Sequence, residues 1–175
     1  DLDPRTIYVP ASHWKALDPT RALVIGDRGT GKTFWWEALA SPQGAALLTK
    51  FAPDLAPGGI EVRVAYGAKP VADFAPPAGD TRQMIFQEHA AKAVWKTLLL
   101  TQAAPDCFEP NTSLGARVRW VETNPEASDE ALRRRDAGLA GEQKLLVLLF
   151  DAIDSVVVNW DALVVIHRAL CELLL

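Results

Sequence analysis

An α/β domain with a mostly parallel sheet is the fold class this sequence predicts, and three observations predict it. Strand-like apolar runs alternate with helix-compatible segments along the chain. A glycine-rich loop, residues 26–33, lies between one such run, Ala22-Leu23-Val24-Ile25, and a helix-compatible run, Phe34-Trp35-Trp36-Glu37-Ala38-Leu39. A continuous apolar run, Leu145-Leu146-Val147-Leu148-Leu149-Phe150, ends in Asp151-Ala152-Ile153-Asp154. Consecutive parallel strands need crossovers, and the intervening helices supply them.

Taken in order, residues 1–21 form a lead-in in which Pro4, Pro10 and Pro19 limit regular structure. The remaining residues, 22–175, read as one domain. A strand at 22–25 leads through the glycine-rich loop into a helix over 32–40, which stops near Ser41-Pro42. Residues 42–59 read as a short helix plus loop. The segment Ile60–Tyr66 alternates apolar and polar at its start, as a strand does. Three prolines and two glycines make residues 67–80 a surface loop. A helix over 81–103 follows, capped by Asp80 or Thr81 and ending before Pro105. Leu114–Val121 suits a short strand or a helix. Thr123-Asn124-Pro125 starts a helix near 125–140, since proline is tolerated at the first helical position. The run 145–150 suits a strand buried on both faces. A final helix covers 159–175.

The chain has 175 residues, 49% hydrophobic and 23% charged, which is room for one domain with a sizeable core. A net charge of −4 provides no global basic field, and so no strong signal for nucleic acid. No secretory signal and no apolar stretch of about 18 residues is present, which points away from a membrane and toward the cytoplasm. Cys107 and Cys171 show no metal-ligand spacing and suit a reducing compartment. The chain opens on Asp1 rather than Met and closes on Leu173-Leu174-Leu175, so a piece of a longer protein with an incomplete core is expected.

The glycine-rich loop reads Gly26-Asp27-Arg28-Gly29-Thr30-Gly31-Lys32-Thr33 and fits G-x-x-x-x-G-K-[ST] without a mismatch. A nucleoside triphosphate concentrates several negative charges in a small volume. Gly26, Gly29 and Gly31 permit a tight loop whose amides point inward. Lys32 brings an ammonium to the β and γ phosphates, and Thr33 offers a hydroxyl to Mg²⁺. Both belong to the first turn of a helix, where unpaired N–H groups and the dipole favour anions. Arg28 either touches the γ-phosphate or points to solvent. At the second motif, Asp151 is placed to hold Mg²⁺ through water, and Asp154 to orient or deprotonate the attacking water.

Together these two motifs resemble the Walker A and Walker B elements of the P-loop NTPases. The second motif further resembles that of the STAND signalling ATPases, including NACHT domains, and of KAP and AAA+-like ATPases. The STAND pattern is an apolar strand followed by Asp, a small residue, an apolar residue, Asp and Glu; here Asp151-Ala152-Ile153-Asp154-Ser155 departs at the last position. The resemblance implies a three-layer α/β/α fold and an ATP-dependent switch governing assembly with protein partners or further copies. A P-loop core continues past the Walker B strand with another strand, so this core reads as incomplete. ATP rather than GTP is expected: Asn159-Trp160-Asp161 does not match the guanine-reading Asn-Lys-x-Asp, and position 154 is Asp where Asp-x-x-Gly needs glycine. No ABC-type signature is present.

Three functions are compatible with these motifs: a slow Mg-dependent ATPase switch, a non-hydrolysing nucleotide-dependent scaffold, and a small-molecule kinase. The kinase ranks last because its lid and acceptor-site arginines are not identifiable. Arg133-Arg134-Arg135 offers an arginine finger, but Asp129 and Glu130 lie four residues earlier and favour a solvated, ion-paired helix face. Tyr8 and Trp14 are candidates to stack on adenine. Trp35 with Leu39, and Met84, Ala91, Trp95 and Leu98, fall on helical core faces. His13, His89 and His167 are isolated.

Overall fold

The computed structural model describes residues 7–18, 20, 24, 29–51, 53–67, 78–85, 90–156 and 160–174. Seven α-helices and two strands are seen among them: α1 (Lys32–Ala40), α2 (Gly44–Phe51), β1 (Gly59–Tyr66), α3 (Ala78–Gln83), α4 (Ala91–Ala103), α5 (Leu114–Thr123), α6 (Pro125–Gly141), β2 (Lys144–Phe150) and α7 (Trp160–Leu174). The fold is mixed α/β, mostly helical, around a small parallel sheet.

The sheet forms because the two strand sequences start in register. The Gly58 N–H donates to the Gln143 carbonyl at 2.9 Å, which sets the strand starts side by side. Pairing then runs parallel from Gly59 opposite Lys144 to Val64 opposite Leu149, with an irregularity before Tyr66 meets Phe150. Alternation assigns the faces. Ile60, Val62 and Val64 of β1 join Leu145, Val147 and Leu149 of β2 in one core, with Trp35, Trp36 and Leu39 of α1 and Leu47 and Leu48 of α2. On the opposite face Arg63 donates to the Gln102 carbonyl of α4 at 2.6 Å, and Glu61 pairs with Arg135 of α6 at 2.9 Å. There α4 is the central element, with Val94, Trp95, Leu98 and Leu100 fully buried against α5, α6 and α7. The irregularity before Tyr66 turns its ring into this second core, edge-on to Trp95 at 5.5 Å.

Helices 32–40, near 125–140 and near 159–175 form as their sequences predict. Pro125 is the first residue of α6, but Asn124 does not cap it with its side chain; the Asn124 amide instead donates to the Trp120 carbonyl at 2.9 Å. Leu114–Thr123 resolves as a helix, its start capped by the Ser113 hydroxyl. The lead-in holds a 3₁₀ turn, Ala11–Ala16.

Three expectations are corrected. In place of the single helix over 81–103 there are two, α3 ending at Gln83 and α4 starting at Ala91 after Ala90, which is extended at φ −67° and ψ 134°. The Ala90 N–H is taken by the Glu122 carboxylate of α5 at 3.2 Å, a distant partner that lets α4 begin there. Asp80 and Thr81 lie inside α3 rather than at a helix start. β2 is half-buried along most of its length rather than enclosed, with Leu149 alone fully buried, because its neighbour among the described residues is β1 only. The strand expected at 22–25 lies outside the described residues except for Val24, which belongs to no regular element and is 45% exposed. Most of the loop expected at 67–80 also lies outside them.

Gly67, one residue beyond β1, touches the Trp36 indole of α1. A Cβ there would lie 2.3 Å from Trp36 Cζ2 and 2.7 Å from Cη2. Trp36 is itself buried, so the ring has little room to retreat. Gly67→Ala is therefore expected to destabilise the protein by about 1–3 kcal/mol, read as a lower urea midpoint at unchanged slope. An unchanged midpoint would show that the ring can move aside.

Candidate functional site

The phosphate-loop motif is described from Gly29 onward; Gly26, Asp27 and Arg28 lie outside the described residues. Gly29 and Gly31 have φ of 87° and 85°, the left-handed region where a side chain would be strained. Gly31 is the residue before α1 and provides no side-chain cap, while its carbonyl accepts the Trp35 N–H at 3.1 Å. Lys32 is half-buried at the first helical position, and Thr33 is exposed at the second. The helix is fixed from behind: Trp35 Nε1 donates to His13 Nδ1 at 2.9 Å, and Leu17 is fully buried in the same core.

Asp151 follows the last residue of β2. Its N–H donates to the Tyr66 carbonyl at 3.0 Å, extending the ladder by one step. Its Oδ2 is buried and has no hydrogen-bond partner among the described residues, an arrangement that costs free energy unless a further group satisfies it. Ala152 then adopts φ 53°, unusual for a residue with a Cβ. A 3₁₀ turn, Ile153–Val156, carries Asp154 exposed to solvent.

Packing relates the two motifs. Trp36 lies on Gly67, just past the end of β1, while Asp151 bonds to Tyr66 at that same end. Lys32 and Thr33 precede Trp36 by about one helical turn, roughly 5 Å of rise. α1 packs against both strands. The carboxyl end of a parallel sheet is where α/β folds place ligands.

Residues that the motifs did not reveal gather beside this end. The Tyr66 hydroxyl is fully buried and lacks a partner in hydrogen-bond geometry. Burial pushes its pKa above 10.0, while the nearby Ser155 and Thr81 hydroxyls pull it the other way. Arg82 of α3 donates to the carbonyls of Val156 and Ser155. Tyr66 was findable as the residue ending a strand next to the one that delivers Asp151. Arg82 carried no local signal, because its partners are more than 70 positions away.

The other candidates fall into place as structural groups. Glu130 pairs with both Arg133 and Arg134, whereas Asp129 turns away to Lys96 of α4 at 2.6 Å, so the expected Asp129–Arg133 pair does not form. Arg135 is committed to Glu61. Tyr8 and Trp14 are 82% and 56% exposed. His167 Nδ1 contacts the Leu163 carbonyl, and His89 lies outside the described residues. Trp95 is core. Cys107 and Cys171 are free thiols, and burial raises the pKa of Cys107.

Among the described residues no cluster of three or more His, Cys, Asp or Glu could hold a metal by itself. A nucleotide-borne Mg²⁺ asks for less: one or two protein oxygens beside phosphates and water. The unsatisfied Asp151 Oδ2 and the exposed Thr33 hydroxyl fit that demand. No helix among the described residues is long and apolar enough to cross a membrane. Compared with protein-family profiles, characterised proteins and solved structures, the chain matches none.

Proposed function

We propose that this chain is an ATP-binding domain of the P-loop, three-layer α/β/α type. On this reading it hydrolyses ATP slowly, and the nucleotide state switches its conformation or its assembly with protein partners or further copies in the cytoplasm. The observation that carries the reading is the loop itself: an unbroken G-x-x-x-x-G-K-T motif whose Gly29 and Gly31 take positive φ and lead directly into α1.

The roles follow from the residues. Backbone N–H groups from Gly26 through Thr33, including Asp27, Arg28 and Thr30, cradle the phosphates. Lys32 compensates the charge that shifts toward the leaving phosphate oxygens. Thr33 and Asp151 would hold Mg²⁺, which would supply positive charge to offset that of the phosphates. Asp154 orients the attacking water and takes its proton as the water oxygen bonds to the γ phosphorus and the β–γ bridge breaks. Products are ADP and phosphate.

Calorimetric titration of MgATP into the full chain, with phosphate release measured in parallel, tests this. One-to-one binding with turnover below about 10⁻² per second is expected, the range of a P-loop enzyme without an external finger. Absence of binding heat would refute the reading.

One observation favours the scaffold alternative. Ser155 stands where the STAND pattern has Glu, and its hydroxyl is spent on the Ala152 carbonyl at 2.6 Å. It neither accepts a proton nor orients water from there. Saturable binding with no phosphate release would select this second reading.

A further inference from the structure

The turn that carries Asp154 is fastened at three points. At its start the Asp151 N–H is held by the Tyr66 carbonyl at 3.0 Å. In its middle the Ala152 carbonyl accepts both the Ser155 N–H at 2.9 Å and the Ser155 hydroxyl at 2.6 Å. At its end Arg82 reaches across from α3, with Nε donating to the Val156 carbonyl at 2.8 Å and Nη2 to the Ser155 carbonyl at 2.9 Å. None of these bonds uses the Asp154 carboxylate, which remains exposed.

The third point differs in kind. A guanidinium delivers charge-assisted donors in a rigid plane, so two adjacent carbonyls gripped by one fork cannot rotate independently. The Val156 side chain is fully buried in the second core, which anchors the same peptide from the other side. Thr81, adjacent to Arg82, is fully buried as well. We propose that Arg82 is the positioning residue for Asp154, holding the turn Ile153–Val156 so that this carboxylate faces the end of the sheet where Asp151 lies. The inference rests on the reading of Asp154 as the group that acts on water.

The test uses the full chain with Arg82→Ala and Arg82→Lys. Amide hydrogen exchange, measured without nucleotide, should speed up at Ser155 by roughly tenfold or more in Arg82→Ala, since two charge-assisted bonds are lost. Arg82→Lys, with a single ammonium, should fall between, and α4 amides should be unchanged in both. In turnover assays kcat should fall roughly hundredfold, as expected for a misplaced catalytic group, while the MgATP Kd stays within about threefold. If Arg82→Ala does not fold, Arg82→Lys carries both readouts. Unchanged exchange at Ser155, faster exchange throughout α4, or equal losses in kcat and affinity would each overturn the proposal. Absence of MgATP binding in the unsubstituted chain would refute the ATPase reading instead, and the exchange arm would still decide whether Arg82 holds the turn.

Discussion

Lys32→Ala is expected to weaken MgATP binding by at least about a hundredfold, the largest single effect on ligand affinity in this chain. Lys32 is the first residue of α1, directly after Gly31 in its left-handed conformation. The helix dipole at that position attracts anions but supplies only partial charge. The ammonium is the one full positive charge that the described part of the loop provides. Losing two charge-assisted bonds to phosphate costs about 3 kcal/mol, or roughly two decades in Kd. Because Trp35 and Trp36 are buried in the core that holds α1, the apo variant should remain folded, and its urea midpoint is measured alongside. Calorimetry of both proteins under the same salt checks the claim. Equal affinity in wild type and variant would mean that the loop does not engage the phosphates.

Asp151→Asn should act in opposite directions on stability and on turnover. In the apo protein the carboxylate has a buried oxygen without a partner. Removing its charge while keeping its shape should relieve desolvation, raising stability by about 1 kcal/mol, a figure kept small because the residue as a whole is only half-buried. Phosphate release should fall at least about a hundredfold, since the residue proposed to hold Mg²⁺ loses its charge. An ordinary strand-end aspartate would behave differently: its replacement would leave turnover proportional to the folded fraction and would not stabilise. Urea unfolding without nucleotide, paired with phosphate release, separates the two. A variant that is less stable and fully active would remove Asp151 from the site.

What could be read in the chain beforehand was local. The signals that mark α1, α6, α7 and β1, and the continuous apolar run of β2, lie within short windows of sequence, and the proline start of α6 is a property of one dipeptide. The role proposed for Gly29, Gly31, Lys32 and Thr33 is legible because the spacing of glycines before Lys-Thr is the pattern that phosphate binding would require. Two acids after an apolar strand are equally visible.

Tertiary structure decided what depends on partners far away in sequence. Helix α4 begins only at Ala91, where the Ala90 N–H donates to Glu122, 32 positions on. Asp129 leaves its i+4 arginine for Lys96 because α4 and α6 pack together. Gly67 is needed by the Trp36 indole, not by its own backbone angle. Arg82 and the buried hydroxyl of Tyr66 reach the end of the sheet only through the packing of α3 and the irregularity before Tyr66. The sequence by itself carried the segments of α1, α6, α7, β1 and β2 and the motif on which the proposed phosphate chemistry rests, since both are set by neighbours along the chain. The structure alone decided that Asp151 is left with an unsatisfied oxygen and that Asp154 rides on a turn clamped from α3, because burial and hydrogen-bond partnership are properties of packed surfaces.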